Sequence, residues 1–186
     1  MDNMKISELM RPIDDFPHIS SENSFMEGVT ALENVDKEFK LGNTPERILL
    51  VHDVKGKIIG KLSPMDIVLG LEPKDDEIDH LKSNQYYHMI RTSLQSMNEP
   101  LRLWQRPLGE LCQKADSIKI HNFIKMPTHE QMVMIDDNLD IAFHLFVVQR
   151  HGSLFVKDGQ NIVGLILFSD VYKKIREIMK NCPVPA

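Results

Sequence analysis

The sequence is short of the features that most quickly assign a protein to a class of chemistry. It has two cysteines, Cys112 and Cys182, which lie far apart and form no CxxC. That spacing gives no disulfide framework and reads as reduced thiols in a cytosolic protein. No apolar run approaches the ~20 residues that cross a bilayer, and the first residues, MDNMKISELM, are polar and unlike a signal peptide. The expectation is a cytoplasmic protein with no membrane partner. Net charge is −5 with both signs interspersed, so there is no basic footprint for nucleic acid. The one basic turn, Lys173-Lys174-Ile175-Arg176, is explained by a helix C-terminus attracting cations. Among the eight histidines, His80 with His88 and His144 with His151 fall into no HExxH or Cys/His cluster, and no metal is expected. P-loop and GxSxG motifs are absent; Gly56-Lys57 and Gly60-Lys61 lack the leading glycine and the following hydroxyl residue. An enzyme is therefore not expected.

What is present is a repeat. At 186 residues the chain fits one domain or two small ones and can bury roughly 70% of its unfolded surface. Ile58-Ile59-Gly60-Lys61-Leu62-Ser63-Pro64-Met65-Asp66-Ile67-Val68 matches Ile162-Val163-Gly164-Leu165-Ile166-Leu167-Phe168-Ser169-Asp170-Val171-Tyr172. Each is an apolar run holding a glycine, then an aspartate six residues on, then more apolar residues. The correspondence extends upstream. Lys5-Ile6-Ser7-Glu8-Leu9-Met10 resembles Lys119-Ile120-His121-Asn122-Phe123-Ile124, with Pro12 and Pro127 following, and Phe16-Pro17-His18-Ile19-Ser20 aligns with Met132-Val133-Met134-Ile135-Asp136 as a short strand.

A helix follows in each copy. Phe25, Val29, Leu32 and Phe39 recur on one helical face, behind a capping box of Ser24 and Glu27; Ile141, Ala142, Leu145 and Val148 give the same spacing. Two strands come next, Ile48-Leu49-Leu50-Val51 and Ser153-Leu154-Phe155-Val156, with turn residues Asp53 and Gly56 or Asp158-Gly159 leading into the glycine-bearing strand. Closing helices are predicted at 64–71 and 169–180. Each copy thus reads strand, helix, strand, strand, helix, the first being longer by a helix extension and loop at 34–45. The copies occupy residues 3–72 and 117–180.

Residues 73–116 connect them. Ile78, Leu81, Met89, Leu94 and Met97 predict a long amphipathic helix opened by Asp75-Asp76-Glu77 and ended by Pro100, with a short helix around Leu108-Gly109-Glu110-Leu111-Cys112. Trp104 lies here too. Such a face covers the core or meets another chain, the first being favoured because monomers rarely expose large apolar patches.

The βαββα repeat with glycine, a hydrophobic residue, serine or threonine and then aspartate resembles the CBS domain, named from cystathionine beta-synthase. Gly60-Lys61-Leu62-Ser63-Pro64-Met65-Asp66 matches the signature fully; the second copy has Leu167 where a hydroxyl residue is usual, and Leu50 and Phe155 stand where a proline often opens the first hairpin strand. The resemblance implies an α+β fold of tandem repeats packed as a pseudo-twofold pair (a Bateman module) with two clefts. It further implies regulatory binding of an adenine nucleotide (AMP, ADP or ATP) or of S-adenosylmethionine, with no required cofactor, and a homodimer.

The corner residues carry two readings. Ser63 before Pro64 is an N-cap, which makes Asp66 the third helical residue, where a carboxylate suits the helix dipole. Alternatively, Asp66 accepts hydrogen bonds from both ribose hydroxyls, since its two oxygens suit a vicinal diol, and Ser63 adds a polar contact. In the second copy Leu167 cannot cap, so Ser169 is expected to cap and Asp170 to be the first helical residue. An aspartate conserved between the copies while the capping pattern changes favours a role beyond capping, and the pocket of Ser63 and Asp66 should bind more tightly. By the same resemblance Arg47, Lys61, Arg150 and His151 are candidates for the phosphates, and Ile19 and Ile135 for the walls around adenine; each has an ordinary alternative as a solvated charge or a core residue. The favoured function is a sensory module signalling to an effector protein. The alternative is a ligand-free structural or dimerisation protein.

Overall fold

The computed structural model describes residues 4–71, 115 and 117–180. The connector helices, Trp104, Cys112, Cys182 and the pair His80 and His88 lie outside the described residues. The two copies have the same topology. In the first, β2 (His18–Ser20) leads into α1 (Phe25–Leu41), the hairpin β3 (Leu49–His52) and β4 (Ile58–Leu62), and α2 (Pro64–Gly70). In the second, β5 (Met132–Met134), α3 (Leu139–Gln149), β6 (Ser153–Asp158), β7 (Asn161–Leu167) and α4 (Phe168–Lys180) follow in the same order. In both, the strand before the first helix pairs parallel to the next strand, which pairs antiparallel to the last. Both hairpins even carry an irregularity at matching places, after Val51 and after Val156. One further strand, β1 (Arg11–Pro12), belongs by sequence to the first copy but pairs with β7 of the second.

That pairing is part of a reciprocal exchange. The Ile6 N–H donates to the Asp137 carbonyl (2.9 Å), and the Leu139 N–H to that of Met4 (2.9 Å). At the equivalent places the Ile120 N–H donates to Asn23 (2.9 Å) and the Phe25 N–H to Ile118 (2.8 Å). Each lead-in segment is therefore stitched to the other copy. Ile6 is fully buried among Val133, Leu139, Ala142, Phe146 and Ile166, and Ile120 among Ile19, Leu32, Val35, Val51 and Leu62. A third apolar cluster joins the copies directly, with Phe16, Ile48, Leu50 and Ile58 meeting Phe155, Leu165 and Leu167. The residues that depart from the signature, Leu50, Phe155 and Leu167, are thus the substance of the shared core, where a hydroxyl would have to be buried at a cost.

The exchange explains the repeated glycine. A side chain at Gly60 would lie 3.3 Å from the Lys125 carbonyl, and one at Gly164 would overlap the Arg11 carbonyl. Both glycines sit where the other copy's lead-in backbone crosses the strand; only hydrogen fits at Gly164, and at Gly60 a side chain would be tight.

The helices depart from expectation in their faces. The Ser24–Glu27 capping box forms, and Gly42 at φ 80° ends α1, so the first copy's extra length is a longer helix of 17 residues against 11, followed by a loop. The buried face of α1 is Phe25, Gly28, Leu32 and Val35, whereas Phe39 is exposed. In α3 it is Leu139, Ala142 and Phe146, with Ile141 and Val148 outside. Apolar residues surround α3, so several faces satisfied the spacing, and contact with Ile6 and Val133 selects among them. No described helix is long and apolar enough to cross a membrane.

Gly164→Ala should lower stability by about 1–3 kcal/mol, the usual range for overpacking, because the obstruction is rigid backbone. Gly60→Ala, facing a longer 3.3 Å approach and a movable Ile124 side chain, should cost clearly less. Denaturant titration of both variants checks the order; equal losses would contradict the difference in closeness.

Candidate functional site

The corner of the first copy is built from the strand end upward. β4 stops at Leu62, Ser63 stays extended (φ −121°, ψ 167°), and Pro64 occupies the first helical position, where a missing N–H costs nothing. The Ser63 N–H and hydroxyl both donate to Asp66 Oδ2, at 2.8 and 2.6 Å, while the Asp66 N–H points back to Ser63 Oγ at 3.4 Å. The capping reading is therefore realised. Asp66 Oδ1 keeps its lone pairs free of any partner among the described residues.

The second corner has the same backbone and different chemistry. α4 begins directly at Phe168, whose N–H donates to the Gly152 carbonyl at 3.0 Å. Ser169 is consequently inside the helix rather than its cap, and Asp170 is the third helical residue, like Asp66, rather than the first. β7 runs straight into the helix, and the first helical N–H, which Pro64 lacks in the other copy, is satisfied by the Gly152 carbonyl just before β6. Asp170 is held by Arg11: Nε donates to Oδ2 at 2.6 Å and Nη2 to Oδ1 at 2.9 Å. This two-pronged contact is the strong form of a charge-assisted pair. The hydrogen bonds to Asp170, outweighing burial, raise the Arg11 pKa above its already high ordinary value.

Lys61 links the copies. From β4 it reaches Ser153 of the second copy, donating to Oγ at 2.5 Å and to the carbonyl at 3.2 Å, with its ammonium 5.5 Å from the Phe155 ring centre. Burial lowers its pKa against the opposing pull of Asp66 and Glu46. His151, two residues before Ser153, also has a lowered pKa, from burial first and then from the Lys61 charge, with Glu130 opposing. Ser63, Asp66, Lys61, Ser153 and His151 thus gather hydroxyl, carboxylate, ammonium and imidazole groups from both copies.

The other candidates lie elsewhere. Arg47 is 3.7 Å from Asp36 on α1 and packs over the Phe39 ring, 5.5 Å from its centre. Arg150 is exposed and ends α3 at φ 54°. Ile19 is buried in the first copy's core, and Ile135 is half-buried against the second's. Two open hollows, of about 410 and 500 Å³, are lined by Ser24, Met26, Glu27, Thr30, Ala31 and Asn34, and by Arg11, Asp14, Asp15 and residues 42–45. Neither contains Ser63 or Asp66. Among the described residues no cluster of His, Cys, Asp and Glu could hold a metal. Sequence reasoning missed Arg11 and Ser153. A signal for Arg11 existed, because Lys125 is the basic residue at the matching place of the other lead-in.

No protein-family profile and no curated protein matches the chain. Solved structures do. CBSX2 in complex with AMP aligns with a TM-score of 0.58 at 17% identity, covering 95% of this chain and 99% of that one. CBSX2 from Arabidopsis thaliana aligns at 0.57 and 17% identity, covering 97% and 99%. A CBS domain-containing protein of unknown function from Bacillus anthracis aligns at 0.59 and 12% identity, covering 94% of both chains. These neighbours are CBS domain pair proteins, and the chain has their fold.

The buried Lys61 predicts a pH signature. Its pKa is depressed in the folded state, so between that value and the ordinary 10.5 the unfolded chain binds more protons and stability rises with pH. The penalty is complete below the folded pKa and gone above 10.5. Relative to Lys61→Met, wild-type stability should therefore climb through the alkaline range, as followed by denaturant titration. Parallel pH profiles would show that the ammonium is well solvated.

Proposed function

On the premise of a CBS-pair fold, we propose that the chain is a regulatory module that binds an adenine nucleotide (AMP, ADP or ATP) at the Ser63–Asp66 corner and signals its state to an effector protein. The observation that carries this reading is the convergence of Asp66, Ser63, Lys61 and His151 across the boundary between the copies. Asp66 Oδ1 is available to a ribose hydroxyl, and Oδ2 can exchange its serine donors for the second. Lys61 and protonated His151 supply positive charge for a phosphate, which would offset the desolvation that both endure alone. A fold neighbour in complex with AMP supports the choice of ligand class. The reading includes no catalysis, a division into units 3–72 and 117–180 joined by 73–116, and a symmetric homodimer. The exposed apolar residues Ile141, Phe143, Val147 and Val148 of α3, with Phe168 and Tyr172 of α4, are its contact surface; a monomer in sedimentation equilibrium would remove the dimer from the reading.

A ligand-free structural role is the second reading. It draws on both aspartates having partners within the chain, Ser63 for one and Arg11 for the other.

Thermal-shift titration with AMP, ADP, ATP and S-adenosylmethionine separates the two, because a ligand of the folded state raises the midpoint by mass action. An adenine nucleotide should raise it, and Asp66→Ala should weaken its binding roughly tenfold or more, the effect of losing about 1–3 kcal/mol of hydrogen bonding. No shift with any of the four would favour the structural role. A response to S-adenosylmethionine alone would change the ligand.

The depressed pKa of His151 adds a pH dependence. A bound phosphate favours imidazolium, so binding should take up a proton and strengthen as pH falls from 7.5 through the ordinary value of 6.5. Calorimetry in buffers of different ionisation enthalpy measures the uptake. His151→Gln should abolish it, and unchanged uptake in that variant would move the phosphate away from His151.

A further inference from the structure

We propose that Arg11 is an internal occupant of the second corner: its guanidinium takes both oxygens of Asp170 and so restricts the chain to one nucleotide, at the Ser63–Asp66 corner. The inference rests on the nucleotide reading of that first corner and goes beyond it by making the two corners unequal in kind.

The geometry is specific. A ribose diol would need the same two carboxylate oxygens that Arg11 engages at 2.6 and 2.9 Å. Arg11 is also fixed at its backbone. It lies on β1, paired to Leu165 of β7, where its carbonyl meets the bare Gly164. A ligand would therefore have to displace a side chain whose backbone is already anchored beside the corner.

The surroundings act in the same direction. Where the first corner has the Ser63 hydroxyl and the Lys61 ammonium, the matching positions hold Leu167 and Leu165, both fully buried and apolar. Asp15 comes within 4.0 Å of the Arg11 guanidinium, and Asp14 and Asp15 line the hollow next to it. A phosphate entering there would meet three carboxylates and a cation already engaged. Among the described residues the first corner has no such clamp. Lys125, which corresponds to Arg11, is exposed, and among the described residues Asp66 hydrogen-bonds only with Ser63.

The test counts sites and follows the clamp separately. Wild type and Arg11→Met (which keeps the aliphatic stem) are titrated calorimetrically with AMP and with adenosine, the second probe needing no phosphate contacts. The expected result is one site in wild type and two in Arg11→Met, the new one at least tenfold weaker and shared by adenosine. Two sites in wild type, or one in both proteins, would overturn the proposal. Hydrogen exchange at the Ile6, Ser7 and Leu165 amides is compared in wild type, Arg11→Met and Asp170→Asn. Equal acceleration in both variants, with no further gain in the double variant, supports the clamp; unchanged exchange overturns it. If neither protein binds AMP or adenosine while exchange accelerates, the nucleotide reading of the first corner fails and the clamp stands on the exchange.

Discussion

Backbone crossing at two glycines is the constraint from which the rest of the molecule follows. The lead-in to each copy lies over the last strand of the other, closely enough that a methyl group at Gly164 would overlap the Arg11 carbonyl. Neither copy can complete its core alone. Ile6 and Ile120 fill cavities in the opposite halves and are fully buried there, so removing a lead-in would leave a void and expose several apolar side chains in the other copy. The pair is consequently one cooperative body, with geometry at the boundary set by rigid backbone rather than by adaptable side chains.

The same crossing places the corners. An aspartate on the third helical residue after the crossing strand lies beside the lead-in of the other copy. What that lead-in carries then decides the chemistry. In the second corner it carries Arg11, and the aspartate becomes half of an ion pair. In the first it carries Lys125, which leaves Asp66 to Ser63. One inherited backbone thus supports two electrostatic outcomes, and the difference is made by residues distant in sequence.

How much was legible follows from that separation. The order of strands and helices, the Ser24 and Ser63 caps and the two hairpins are local properties, written in the spacing of apolar residues and in turn chemistry, and they could be read directly. Faces were legible only where the pattern was clean. In α1 the spacing finds Phe25 and Leu32 of the buried side, while Val29 is half-buried and Phe39 exposed. α3 is apolar all round, and periodicity could not select Leu139, Ala142 and Phe146 over Ile141 and Val148. The helical position of Asp170 is not legible locally, because the carbonyl of Gly152, just before β6, satisfies the first helical N–H, and no neighbouring residue signals such a partner. The Arg11–Asp170 and Lys61–Ser153 contacts depend on how the copies dock, so the basic residue shared with Lys125 marks the Arg11 position without indicating its partner.

Divergence between the copies has a physical direction. Leu165 and Leu167 belong to the cluster that joins the halves, so each apolar residue that stands where the first corner has Lys61 or Ser63 adds apolar surface to the shared core. A boundary of fixed area cannot serve both demands fully, because a hydroxyl or ammonium placed there must be desolvated and find a partner. Lys61 illustrates the cost: it lies within that boundary and, among the described residues, is compensated by Ser153, the Phe155 ring and nearby carboxylates. Keeping one such cation is expensive enough to depress its pKa, and keeping two would weaken the junction that holds both lead-ins in place. Concentrating polar groups at the first corner while the second is closed by an ion pair resolves the conflict. Lys61 also joins the two corners physically, since it touches Ser153 at the start of β6, the strand next to β7 on which β1 and Arg11 are seated.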